Sequence, residues 1–134
     1  GANNPMFVIR PQNGLSVNTP LGSDYKNEKV NCFQKISGNR FPIGGVQIDY
    51  ERKFTNHNLE LEHGDIIYLF SDGYIDQFGG PKEKKFMSHR FQKLLIEIRN
   101  LHMQDQKSSL TETIENWMGG QEQIDDLLVI GIRV

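Results

Sequence analysis

Apolar and polar positions change their rhythm along this chain. Ile66-Ile67-Tyr68-Leu69-Phe70 is an unbroken apolar run of β-branched and aromatic residues. A run that short reads as a strand buried on both faces, not as a helix. Turn signals bracket it, with Gly64-Asp65 before and Ser71-Asp72-Gly73 after. Residues 6–10, between Pro5 and Pro11, form a second short apolar run and a second predicted strand. Partial or full alternation over residues 30–36, 46–50, 54–61 and 127–134 predicts further strands, half-buried in an antiparallel sheet. Between these, the period becomes helical. Phe86, Met87, Phe91, Leu94, Leu95, Ile98 and Leu101 predict an amphipathic helix over 86–101. Leu110, Ile114, Trp117 and Met118 predict another over 109–118, stopped by Gly119-Gly120.

The connections are polar or glycine-rich. Gln12-Asn13-Gly14 and Ser37-Gly38-Asn39 read as turns, and residues 18–31 as a loop or irregular hairpin. Phe41-Pro42-Ile43-Gly44-Gly45 is a tight apolar loop, and Lys82-Glu83-Lys84-Lys85 an exposed charged one. Strands, then two helices, then a closing strand give an α+β class with antiparallel sheet.

Composition narrows the function classes. The 134 residues make one domain or part of one, with 37% hydrophobic and 24% charged residues, as in an ordinary globular protein. A net charge of −2 offers no electrostatic footprint for nucleic acid. The single cysteine, Cys32, cannot form an internal disulfide and fits a reducing, cytoplasmic setting. No apolar run approaches the roughly 20 residues of a membrane span, so no membrane contact is expected of this segment. The opening Gly1-Ala2-Asn3-Asn4-Pro5 has no initiator Met and reads as the inside of a loop, so a fragment of a longer protein is expected.

Candidate chemistry rests on acidic residues at two strand ends. Asp72 follows the buried run, and Asp125-Asp126 precedes the last strand. The end of one antiparallel strand lies beside the start of its neighbour. If these two strands are neighbours, Asp72 and Asp125 share one sheet edge. Carboxylates forced together repel, and a divalent cation with a preference for oxygen ligands resolves the conflict. The competing reading is that both sites only shape turns. Spacing rejects a calcium loop through Asp72 and Asp76. His57, His63, His89 and His102 lack metal-ligand spacing, and no nucleophile elbow or phosphate loop is present.

Several blocks carry a family resemblance. Leu-Phe-Ser-Asp-Gly at 69–73, Gln-Phe-Gly-Gly at 77–80 and Gln-Ile-Asp-Asp-Leu-Leu-Val-Ile-Gly-Ile at 123–132 resemble the last two blocks of SpoIIE/RsbU-type serine phosphatases. These are bacterial members of the metal-dependent PP2C-like (PPM) phosphatases. Gly1-Ala2-Asn3-Asn4-Pro5 and Phe41-Pro42-Ile43-Gly44 are similar to two earlier family segments. The resemblance implies a PP2C-like sandwich of antiparallel β-sheets flanked by helices, of which residues 1–134 are the C-terminal part of a single domain. It implies a two-metal Mn²⁺ or Mg²⁺ centre, with Asp72 and Asp125 as catalytic metal ligands and Gly73 and Asp126 supporting them. The implied substrate is a phosphoserine or phosphothreonine protein in signalling, such as an anti-sigma-factor antagonist.

The family's bridging aspartate and its adjacent glycine lie in the N-terminal half, and no Asp-Gly-x-Gly block precedes residue 65 here. The chain alone is therefore expected to be inactive and to self-associate through uncovered sheet surface. An upstream region could tether the parent to a membrane. The alternatives are a catalytically degenerate PP2C-like protein-binding module and an unrelated α+β domain with turn aspartates.

Overall fold

The computed structural model describes residues 4–11, 32–41 and 53–134. In chain order the elements are β1 (Met6–Ile9), β2 (Phe33–Ile36), β3 (Ile66–Phe70), α1 (Gly73–Asp76), β4 (Phe78–Gly79), β5 (Lys84–Lys85), α2 (Ser88–Ile98), α3 (Met103–Met118) and β6 (Val129–Arg133). Four strands form one antiparallel sheet in the order β2-β1-β3-β6, and β4 pairs with β5 as a small ribbon. The predicted turn at 12–14, the loop at 18–31, most of the glycine loop after Phe41 and the strand at 46–50 lie outside the described residues.

The pairing register sorts side chains onto two faces, because residues directly opposite in an antiparallel pair point the same way. Ile9, Ile66 and Phe33 share one face with Phe7, Tyr68 and Phe70. This face is buried beneath the two long helices. Phe91, Leu95 and Ile98 form the buried stripe of α2, and Gln106, Leu110 and Ile114 that of α3. An aromatic cluster joins sheet to helix. Phe70 lies 4.7 Å from Phe7 and 4.9 Å from Phe91, and Tyr74 lies 4.7 Å from Phe91, in tilted or edge-on geometry.

Several boundaries differ from expectation, among them the end of the first long helix at Ile98 and not at Leu101. The first long helix starts at Ser88, not at 86, because Met87 has φ 78° and cannot continue a right-handed helix. Phe86 is buried from the ribbon, where its N–H donates to the Gln77 carbonyl at 2.9 Å. Residues 84–85 of the charged loop pair with β4. The second helix starts at Met103, six residues early. Its first turns are polar, and Gln106 holds the core position that a leucine would otherwise mark. Gln106 accepts from the Tyr68 hydroxyl and donates to the carbonyls of Leu101 (3.0 Å) and Arg99 (3.3 Å). Burial raises the Tyr68 phenol to about 12, so it stays a donor at neutral pH. Residues 54–61 are not a strand. Phe54 is exposed, and the Thr55 N–H donates to the Asn39 side chain at 2.9 Å instead of to a sheet ladder.

Asp65, with no exposed surface, fastens β1 to β3. Its two oxygens accept from Nε and Nη2 of Arg10 at 3.0 Å each, and one also accepts from the Glu62 N–H at 2.9 Å. The Arg10 hydrogen bonds hold the carboxyl below the usual carboxylate range against the opposing effect of burial. A lowered pKa contributes stability that is complete above the unfolded value of about 3.9 and lost as pH falls through the folded one. Asp65→Asn should therefore cost about 2 kcal/mol at neutral pH. The gap to wild type should close below about pH 4, as thermal melts across pH will show.

The second face carries Met6, Ile36, Leu69 and Ile130 in one row and Val8, Gln34, Ile67 and Ile132 in the next. Ile132 remains 49% exposed and Leu69 42%, so β3 is not buried on both faces as its apolar run predicts. Such contiguous apolar surface drives association. The chain should sediment as oligomers, and Ile130→Lys with Ile132→Lys should shift it toward monomer. A wild-type monomer at high concentration would contradict this.

Candidate active site

Two segments meet where β3 ends and β6 begins. Phe70 pairs with Val129, so the chain leaving β3 runs beside the chain entering β6. Hydrogen bonds extend the contact past the ladder. The Ser71 N–H donates to the Leu128 carbonyl at 3.0 Å. The Ser71 hydroxyl donates to the Asp126 carbonyl at 2.6 Å and accepts from the Leu128 N–H at 3.1 Å. Gly73 packs against the same strand: a Cβ there would lie 2.3 Å from the Asp126 carbonyl oxygen and 3.3 Å from the Asp125 carbonyl carbon. Only glycine permits that approach.

The expected convergence of the 72 and 125 segments is thus present in the backbone. Both aspartates are solvent-exposed. Asp72 stands at the N-cap position of α1, yet its side chain makes no capping hydrogen bond. The carboxylate is not consumed by the turn it begins. At Asp125, Oδ1 accepts from the Asp126 N–H at 2.7 Å, a local bond that shapes the turn and leaves Oδ2 outside it. The nearby Asp76 is engaged by the Lys85 ammonium at 2.9 Å. Among the described residues, no group of three or more His, Cys, Asp or Glu side chains comes together in a form suited to a metal ion.

Residues that spacing did not single out organise this edge. Gln77, fully buried, donates Nε2 to the Glu122 carbonyl at 2.9 Å and accepts from the Ile124 N–H at 3.4 Å. Its backbone carbonyl accepts from the Trp117 indole at 3.1 Å. A Cβ on Gly79 would fall 1.9 Å from the Trp117 carbonyl oxygen, so the ribbon lies directly on the end of α3. Arg90 stacks over the same indole at 4.7 Å. Gly79 and Gly80 are the residue type that permits this close approach. A polar residue such as Gln77 gives no periodic signal at all.

A groove of about 640 Å³ runs between α3 and β6, lined by Tyr68, Leu110, Ile114, Met118 and Val129 among others. Neither Asp72 nor Asp125 borders it.

Comparison with known proteins bears on the family and the fold. Residues 20–134 match the family model for Stage II sporulation protein E (SpoIIE). No curated protein matches the chain in sequence. Among solved structures, the SiaA-PP2C domain of Pseudomonas aeruginosa is similar, with a TM-score of 0.74 and 21% identity over 99% of this chain and 44% of that one. The present chain therefore spans less than half the length of that neighbour. Likeness at this identity speaks to the fold, which is α+β and PP2C-like. No helix of the described residues is long and apolar enough to cross a membrane. With the SpoIIE model covering most of its length, the chain belongs to the SpoIIE family of PP2C-like phosphatases.

Proposed function

We propose that this chain supplies the C-terminal part of a Mn²⁺- or Mg²⁺-dependent protein serine/threonine phosphatase domain, with Asp72 and Asp125 as metal ligands. The observation that carries the reading is the backbone convergence at the β3–β6 edge, where Gly73 lies against the carbonyls of Asp125 and Asp126. The substrate proposed is a phosphoserine or phosphothreonine on a signalling protein, of the anti-sigma-factor antagonist type.

The donor set fits a hard cation. Asp72 and Asp125 offer only oxygen, and Asp72 is free of a capping bond. Two carboxylates facing a phosphate ester would repel it, so the edge needs positive charge between them and the substrate. A divalent cation, when bound, neutralises phosphoryl oxygens and acidifies water, the chemistry that a reaction accelerated by up to about 10²¹-fold demands. The chain's own residues hold and orient. Asp72 and Asp125 supply ligand oxygens from the ends of two paired strands. Gly73 lets the segments touch, and Ser71 fixes the carbonyl of Asp126.

In a protein carrying the complete domain, Asp72→Asn and Asp125→Asn should each lower Mn²⁺-dependent turnover of a phosphoserine peptide about a hundredfold or more. Thermal melts should stay close to wild type, since both side chains are exposed. Unchanged metal dependence in both variants would contradict the assignment, and metal-independent partner binding would point to a degenerate binding module. The 134-residue chain alone should show no turnover, and activity free of contaminants would mean that the ligand set lies within it.

A further inference from the structure

The segments bearing Asp72 and Asp125 are fastened to each other twice. On one side Ser71 is bonded to Asp126 and Leu128. On the other, Gln77 is bonded to Glu122 and Ile124. Asp72 lies between residues 71 and 77, and Asp125 between 124 and 126. Each acidic residue therefore sits between two cross-links. From these bonds we infer that Gln77 and Ser71 are positioning residues that set the separation of the Asp72 and Asp125 carboxylates.

The chemistry of Gln77 supports this role. Its amide is buried and uncharged, and besides Glu122 and Ile124 it bonds the carbonyl of its neighbour Phe78, at 3.2 Å. An amide both donates and accepts, so one side chain can satisfy the Glu122 carbonyl and the Ile124 N–H of a segment that has no ladder of its own. Residues 119–128 belong to no helix or strand, so side chains must supply what a ladder would. A second support holds the same stretch from outside, where Gln121 donates to Glu83 at 3.1 Å. The ribbon that carries Glu83 is itself fixed to α3, since the Gly80 N–H donates to the Trp117 carbonyl at 2.7 Å. The rigid body of the helix thus reaches the acidic edge through Trp117 and Gln77. Loose carboxylates would lose cation affinity to the entropy of ordering them at each binding event.

The inference rests on the metal reading for its consequence but not for its geometry, and two measurements separate them. Hydrogen exchange of the 134-residue chain reads the clamp directly. Gln77→Met, close in volume, should speed exchange of amides 119–125 about tenfold while those of α2 hold their protection. Paramagnetic broadening by Mn²⁺ of the 72–73 and 125–126 amide signals reads the consequence, and its midpoint should move about tenfold upward. Ser71→Ala, partly exposed and outside the core, should speed exchange of amides 126–128 and raise the same midpoint, and serves if Gln77→Met fails to fold. Unchanged exchange in both variants overturns the clamp. Faster exchange with an unmoved Mn²⁺ midpoint also overturns the positioning role, provided Asp125→Asn abolishes the broadening. If Asp125→Asn leaves the broadening intact, the metal reading fails, and exchange alone decides whether the clamp exists.

Discussion

The antiparallel pairing of β3 with β6 is the constraint from which the rest of the structure follows. These strands are separated by 58 residues between Phe70 and Val129, which pair directly. Their register decides which side chains meet the helices, and it decides that the exit of one strand adjoins the entry of the other. A slip by one residue would turn Tyr68 and Phe70 outward and Ile67 and Leu69 into the aromatic cluster. It would also carry Asp126 off Gly73, where the fit leaves no room for even a Cβ. Core packing and the geometry of the acidic edge are therefore set by one choice of register.

Between β3 and β6 the chain builds the helical layer that makes this register hold. Phe91 on α2 meets Phe7, Phe70 and Tyr74, so one ring bridges two strands and the short helix α1. The Tyr74 hydroxyl donates to the Leu110 carbonyl at 2.8 Å, which brings α3 into the same assembly. Arg133, at the end of β6, donates to the carbonyls of Arg99 and Leu101 at 2.9 and 2.7 Å. The connection between the two long helices is thereby held to the far end of the strand that begins at the acidic edge. Polar bonds at the two ends of β6 and aromatic packing beneath its neighbour act on the same alignment.

Much of this was legible in the sequence, and the physical reason is periodicity. The run Ile66–Phe70 gave a strand with the same bounds as the structure, because Gly64-Asp65 and Ser71-Asp72-Gly73 mark both ends. The stop of α3 was legible because Gly119 takes a positive φ of 56° that other residues avoid. The start of α3 was not, since Gln106 fills a core position through hydrogen bonds and no hydropathy pattern marks that. Met87 delays the start of α2 for a related reason, a backbone angle that its side chain does not announce. At the site, the meeting of residues 72 and 125 could be argued from strand polarity only on the condition that the two strands pair, which the structure supplies. The bonds that fix the meeting run through Ser71 and Gln77, whose partners are backbone groups and leave no trace in residue type.

The direction of support at the acidic edge also bears on why the aspartates are exposed. A buried carboxylate needs a resident partner, as Asp65 has in Arg10. Asp72 has no such partner in its turn, and among the described residues Asp125 has the adjacent amide alone. Exposure spares both side chains the desolvation cost of burial, while the neutral side chains behind them carry the ordering. Charge and rigidity are thus divided between different residues. Carboxylates face outward, where a cation can approach, and serine, glutamine and tryptophan behind them hydrogen-bond to backbone without adding charge. The cross-strand bonds of Ser71 and Gln77 involve neither carboxylate, so the alignment of the two segments does not depend on the charge at this edge.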